Sequence, residues 1–478
     1  MPLLPSFCRA GLRPAVRAVP MLLALLTTAC TGHMARPPAA PVDVVSQAQP
    51  VVPSTWAHAT PVGNSQHGTD WWQQQWPDAL LHTLMGQALQ ANPTLRQAQA
   101  ALQQARAQVQ LQAANLAPSL DASASAQRSR ANQQSSNRFQ VGLDASWEWD
   151  VWGRLDAGLQ ASQAEARASQ ANLAQAQVTL AAEVALQYIN LRSWQARLEI
   201  AQRNLASQRE TWQLTDWRVR AGLSTSLVLE QARASMEQTA AQIPQLQTSL
   251  AQAQHSLSVL TGQAPAALAA LLAEVRPVPQ PAADLAVSLP AETLRQRPDV
   301  RVAEERILAA WARVAQADAA RYPSFRLGGS IGLSALTLGS LSSGAAVANA
   351  LLASVSLPVW DGGAARAQVQ VQEAALEQAR MAYQTTVLTA LQEVEDALVA
   401  LQGNRQRLER LQAAAEAAQN AALLAQQRYR SGLIDFQAVL ETQRTLLATQ
   451  DSVASTAASV AADHVRLYKA LGGGWMPS

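Results

Sequence analysis

Residues 139–154, FQVGLDASWEWDVWGR, oblige a strand and a very long helix to share one unbroken piece of chain. Phe139, Val141, Leu143, Ala145, Trp147, Trp149 and Val151 fall on one face of an extended backbone, and Gln140, Gly142, Asp144, Ser146, Glu148 and Asp150 fall on the other. That period of two predicts a two-faced strand. Beyond Gly153 the composition turns to Ala, Gln, Leu, Glu and Arg, with neither proline nor glycine from Leu159 to Ala221. Ordinary globular helices stop well short of that.

The chain also contains its own copy. Asn92-Pro93 opens a helix that Pro118 ends, and Pro298 and Pro323 stand 205 positions after Pro93 and Pro118 with no gap between them. The strand ending at Trp152-Gly153-Arg154 is echoed by SVSLPVWDGG over 354–363, RAGLSTSLVLEQAR from Arg220 by RSGLIDFQAVLETQR from Arg430, and Leu260-Thr261-Gly262 by Leu471-Gly472-Gly473. A period above two hundred residues is too long for a solenoid and means a duplicated domain. Residues 71–264 form the first copy, 265–290 the connector and 291–474 the second copy.

Only 15% of the 478 residues are charged and the net charge is +2, scattered along helices without a basic run, which argues against nucleic acid. Arg9, Arg13 and Arg17 precede an apolar run from Val19 to Leu26 and the small residues before Cys30. This is the pattern of a secretory signal over 1–29, too short for a permanent anchor. LLTTAC resembles a bacterial lipobox, with Leu26 one position earlier than usual, and this resemblance makes Cys30 the acylated first residue. Thr31 rather than Asp behind it points to the outer membrane. Cys8 leaves with the signal, so no disulfide forms within the mature chain. Residues 30–70, rich in Pro, Ala and Gln, predict an extended tether.

Each copy reads short helix, strand, polar loop, strand, long helix, tight turn, return helix. Strands are expected at about 119–128, 139–152, 324–335 and 351–360. Leu351, Ala353, Val355, Leu357 and Val359 share a face in the last, while Leu352 and Trp360 fall on its polar side. Soluble sandwiches alternate in the same way, but segments of about 10 residues match a tilted span of a bilayer core, and Phe139, Trp147, Trp149 and Phe325 stand where interfacial aromatics would. Helices are expected at 156–221, 224–260, 364–430 and 434–470, the long ones on the order of 100 Å at about 1.5 Å per residue. Leu191, Leu198, Leu205, Trp212 and Val219 keep heptad spacing, as do Leu446, Val453, Val460 and Leu467. Gly222 and Gly432 turn the helices back, and Pro244 is expected to bend or interrupt the first return helix.

Four strands cannot close a membrane barrel, and an open edge in lipid costs several kcal/mol per unpaired group. Three copies supply twelve strands and twelve helices. The sequence thus predicts a mainly α chain with membrane β, whose duplicated halves build a trimeric 12-stranded β-barrel continuous with a long α-helical barrel.

The paired NP and RP openings, NLAPSL, RYPSF, LPVWDGG, YRSGLIDFQAVLETQ and YKALGGGW resemble the TolC-type outer-membrane efflux proteins, in their OprM- and NodT-like lipoprotein branch. The likeness runs from Cys30 to Trp475. It implies a homotrimer that completes a tripartite pump with a periplasmic adaptor and an inner-membrane transporter of the RND type. It also implies adaptor contacts at the turn residues Arg220, Gly222, Leu223, Arg430, Gly432 and Leu433, whose glycines serve equally as plain helix stops. The family's periplasmic gate of tyrosine and acids maps to Tyr429 and Glu441, while its other positions hold Ala438, Ile434 and Val228. Three Glu441 carboxylates around a threefold axis would favour cations; a solvated helix carboxylate is the other reading.

Nothing points to an enzyme. The six histidines have no metal-ligand spacing, no Gly-rich loop joins strand to helix, and no cofactor is implied. Trp71, Trp72 and Trp76 read as packing. The rivals are a periplasmic coiled-coil adaptor or scaffold, which would lack the four strands and the duplication, and the outer-membrane conduit of a type I secretion system.

Overall fold

The computed structural model describes residues 41–58, 76–131, 134–281, 290–343 and 346–473. Cys30, Trp71, Trp72 and the 282–289 part of the connector lie outside them. In chain order the elements are α1 (Pro41–Ser46), α2 (Ala79–Ala91), α3 (Pro93–Ala114), β1 (Ser119–Ala131), β2 (Gln134–Trp149), α4 (Arg154–Arg220) and α5 (Ser226–Leu260). The second half follows with α6 (Pro290–Gln296), α7 (Pro298–Ala319), β3 (Ser324–Ala335), a 3-10 turn (Leu338–Ser342), β4 (Val347–Ser356), α8 (Ala364–Arg430) and α9 (Phe436–Ala470). The long helices α4 and α8 have 67 residues each, about 100 Å at about 1.5 Å per residue.

The four strands form one antiparallel sheet in the order β1-β2-β3-β4, open at both edges. Below it α4 carries α3 and α7, α7 lies between α4 and α8, and each long helix folds back against its return helix. Alanines make the close approach possible. Ala157, Ala161, Ala164, Ala168, Ala171 and Ala174, spaced by three or four, are all buried on α4. The heptad positions Leu191 and Leu205, and Val460 and Leu467 on α9, are buried too.

Each half is shut at mid-length by the same clasp. Asn92 caps α3, accepting from Thr94 and Leu95 N–H, and donates to Leu260 O at 2.9 Å. Its counterpart Arg297, 205 residues on, donates to Ala470 O at 2.8 Å and pairs with Asp299 and Glu393. Gly262 and Gly472, both at positive φ, sit against the backbone before these residues, where a Cβ would stand 2.6 Å from Ala91 O and 2.9 Å from Gln296 O. A further network holds the 265–281 segment through the Leu272 and Glu274 carbonyls. Asp78 caps α2 through one carboxylate oxygen and takes the Tyr188 hydroxyl at 2.7 Å on the other. Buried Arg192 donates to Tyr188 Oη, Gln195 Oε1 and Glu274 O. Trp76 is fully buried in that core, as packing.

Several sequence readings change. β4 ends at Ser356, three residues before the alternation does at Val359, because β3 begins at Ser324 and offers no partner beyond it, so Leu357, Val359 and Trp360 lie outside the strand. β2 likewise stops at Trp149, and Val151 and Trp152 lie in a bend. Part of the expected tether is docked: Val44 and Ala48 pack against Leu294, Val300 and Tyr383, and Trp56 against Val394 and Leu398. Ala57 N donates to Glu395 Oε1 at 2.7 Å. Helix α5 continues through Pro244; the missing N–H costs the Ala240 carbonyl its helical donor without ending the helix.

Candidate functional site

Two regions could carry function: the sheet with its junction to the helices, and the tip where the helices turn back. In the sheet the alternation becomes two continuous faces. Across one run Ala124, Val141, Leu333 and Val347, then Ala122, Leu143 and Ile331, then Trp149, Phe325 and Val355. The other carries Ser125, Gln140 and Ser334, then Asp121, Asp144 and Ser330. Phe139 and Trp149 are ten residues apart, about 33 Å along a strand, and a tilt of about 40° reduces this to about 25 Å of height. That equals the apolar band of outer-membrane barrels. The apolar residues Leu120, Val141, Ile331, Leu351 and Val355 are exposed in the single chain, which no soluble sheet tolerates over such an area. On the polar face Gly142 and Gly332 lie opposite each other, and a Cβ on Gly332 would stand 2.6 Å from Val141 O. The two backbones are pressed together there.

At the junction Glu148 is shared by Arg154, at 2.6 Å, and Arg326, at 3.7 Å. Asp150 accepts from Asp156 N–H and so caps the start of α4. Higher on the same face Asp144 stands opposite Asp121 and accepts from Ser123 Oγ at 3.1 Å. Asp361, bound by the N–H groups of Gly363 and Ala365, has its carboxyl held below the usual range by those backbone donors. Trp152 stacks on Tyr322 at 5.0 Å and donates to Pro323 O.

At the tip, Gly222 at φ 73° and Gly432 at φ 72° close matching Schellman turns. Gly222 N donates to Val219 O and Leu223 N to Arg218 O; Gly432 N donates to Tyr429 O and Leu433 N to Arg428 O. Leu223 and Leu433 are 70% and 74% exposed. Arg220 pairs with Asp216 and Arg430 reaches Glu210, both at the surface. The adjacent Trp217 and Leu227 are also exposed, and sequence reading missed them because helical residues of this kind normally signal core. Tyr429 is 3% exposed in the single chain. Its hydroxyl lies 3.2 Å from Thr215 Oγ1, its ring meets Phe436 edge-on at 5.8 Å, and the Arg218 guanidinium covers it at 4.5 Å. An aromatic ring with a cation and an apolar partner to hand is better placed between helices than in water. Glu441 is exposed on α9, while Ile434 and Val228 pack into the Tyr429 cluster. No group of metal-binding side chains occurs among the described residues, and no described helix is long and apolar enough to cross a membrane.

The profile of outer membrane efflux proteins matches residues 84–263 and 289–473, the two halves in turn. The chain belongs to this family. Outer membrane protein OprJ of Pseudomonas aeruginosa is 32% identical over 479 residues, 97% of each chain. The probable outer membrane lipoprotein SilC of Salmonella typhimurium is 28% identical over 87% of this chain and 90% of its own. Among solved structures, the outer-membrane channel OprN superposes with a TM-score of 0.84 at 35% identity, covering 89% of this chain and 98% of its own. As an outer membrane efflux protein the chain is placed in the bacterial outer membrane and is a channel protein, not an enzyme. The fold, mainly helical with a small sheet, is that of the solved channels.

Proposed function

We propose that three copies of this chain assemble into the outer-membrane channel of a tripartite efflux pump. The channel conducts passively what an inner-membrane RND-type transporter delivers through a periplasmic adaptor. The observation that carries this reading is the pairing of an exposed apolar sheet face, about one bilayer core high, with helices of about 100 Å that lead away from it. Both sheet edges are open, which lipid penalises until other copies close them. Cys30 is the acylation site that tethers the chain to the membrane, in line with the similarity to SilC, a probable outer membrane lipoprotein. The exposed turn residues Arg220, Gly222, Leu223, Arg430, Gly432 and Leu433 form the adaptor contact. In this reading Tyr429 steadies the gate by holding the two hairpins of one copy together, and three Glu441 side chains give the lumen its negative ring.

Outer membranes fractionated with and without heating test the assembly: a heat-modifiable trimer supports it, and a soluble periplasmic monomer sinks it. Glu441→Ala should raise single-channel conductance in planar bilayers and weaken cation preference. Unchanged conductance and selectivity would remove Glu441 from the gate.

A further inference from the structure

The apolar face of the sheet changes character at its far end. Leu120, Ala122, Ala124 and Ala126 share that face on β1, and the same alternation puts Arg128 and Arg130 on it, two and four residues beyond Ala126. Their ladder partners are Asn137 and Ser135, whereas Ala126 pairs with Phe139, the outer aromatic of the apolar band. Arg138 pairs with Gln127 and takes the opposite, polar face, beside Ser129 and Ser136, whose hydroxyls lie 2.9 Å apart. All three arginines are exposed, and none has an acidic partner among the described residues. No acid occurs between Asp121 and Asp144, and no charge of either sign between Arg326 and Asp361. The arginines are therefore the only charges at this end of the sheet.

Their height decides what meets them. At about 3.3 Å per residue and a tilt of about 40°, Arg128 stands about 5 Å and Arg130 about 10 Å above the level of Phe139. The polar layer on each side of a hydrocarbon core is about 5 to 8 Å deep. Arg128 thus lies within the headgroup layer and Arg130 at its outer limit, both on the face that meets lipid. We propose that Arg128 and Arg130, with the Asn137 amide and the Ser135 hydroxyl beside them, bind the phosphate of a phosphorylated glycolipid in the outer leaflet. This rests on the assembly proposed above, in which the helix tip meets the periplasmic adaptor and this end of the sheet faces outward. Guanidinium groups grip phosphate oxygens through paired N–H donors, and the amide and hydroxyl donate as well. No carboxylate competes for them. The acyl chains of the same lipid lie on Ala124, Ala126 and Phe139 directly below, so headgroup and tail meet matching surfaces on one face. That continuity selects a lipid over free phosphate. Arg138 has the same charge on the same hairpin but faces away from lipid and takes no part.

Full-length protein in detergent, titrated with diphosphorylated lipid A and read by native mass, tests the site. The parent should bind the lipid, and Arg128→Ala combined with Arg130→Ala should weaken binding about thirtyfold, the loss expected for two basic residues at an anionic surface. Arg138→Ala should bind as the parent does. The parent should also prefer diphosphorylated to dephosphorylated lipid A, a comparison that needs no substitution. Equal binding by parent and double variant, an equal loss in Arg138→Ala, or no preference for the phosphorylated lipid overturns the proposal, as does displacement of the lipid by excess inorganic phosphate. Gly339→Cys, in the exposed turn beyond β3, reports the orientation separately. Labelling by a polymer-linked maleimide on intact cells places this end outside; its absence overturns the orientation and the site with it, whereas labelling without the lipid A differences overturns the site alone.

Discussion

At the scale of single residues, the glycines separate into those that only end a helix and those that also let backbones touch. A Cβ on Gly222 would meet nothing within 4 Å, so Gly222→Ala costs only the left-handed backbone, about 1 kcal/mol. Gly262→Ala adds a contact of 2.6 Å with the Ala91 carbonyl, a rigid atom one residue before the Asn92 clasp. It is expected to cost about 3 kcal/mol or more, read as a lower denaturation midpoint by circular dichroism, with Gly222→Ala close to the parent. Equal midpoints would show that the clasp yields. Sequence marks all these glycines alike as helix stops. Only the partner backbone distinguishes them, and in the same way no motif marks the packing of Tyr429 against Thr215, Arg218 and Phe436.

At the scale of elements, the Asp78–Tyr188–Arg192 network ties α2, α4 and the 265–281 segment together. Burial, and then the bond to Asp78, push the Tyr188 hydroxyl up to about 12 from its usual 10. A group whose pKa is higher in the folded state lends stability that is complete below its unfolded value and disappears as pH rises through the folded one. The helical body should therefore lose up to about 3 kcal/mol from this group between pH 10 and 12. Tyr383, also pushed up to about 12 by burial, adds to the same loss. Tyr188→Phe should flatten part of the fall in unfolding free energy over that window; an unchanged slope would show that the hydroxyl ionises freely. Helix existence, length and direction were legible from periodicity and from the absence of Pro and Gly. Strand ends were not: the alternation from Leu351 to Val359 states which face each residue takes, while the end of β4 depends on where β3 stops.

At the scale of the whole molecule, the sheet is open at both edges and its apolar residues are exposed in the single chain, and unpaired edge groups in lipid cost several kcal/mol each. The protein extracted in detergent should therefore be a trimer by native mass. A monomer would overturn the assembly. By itself the sequence determined the duplication, the four two-faced strands, the paired long helices and their turns. All of these follow from local period and from residues that permit or forbid a backbone conformation. Tertiary structure alone decided where β4 ends, the docking of residues 44–57 on the second half, and the burial of Tyr429. These depend on which surfaces meet, and pairing between segments hundreds of residues apart leaves no periodic trace in either one.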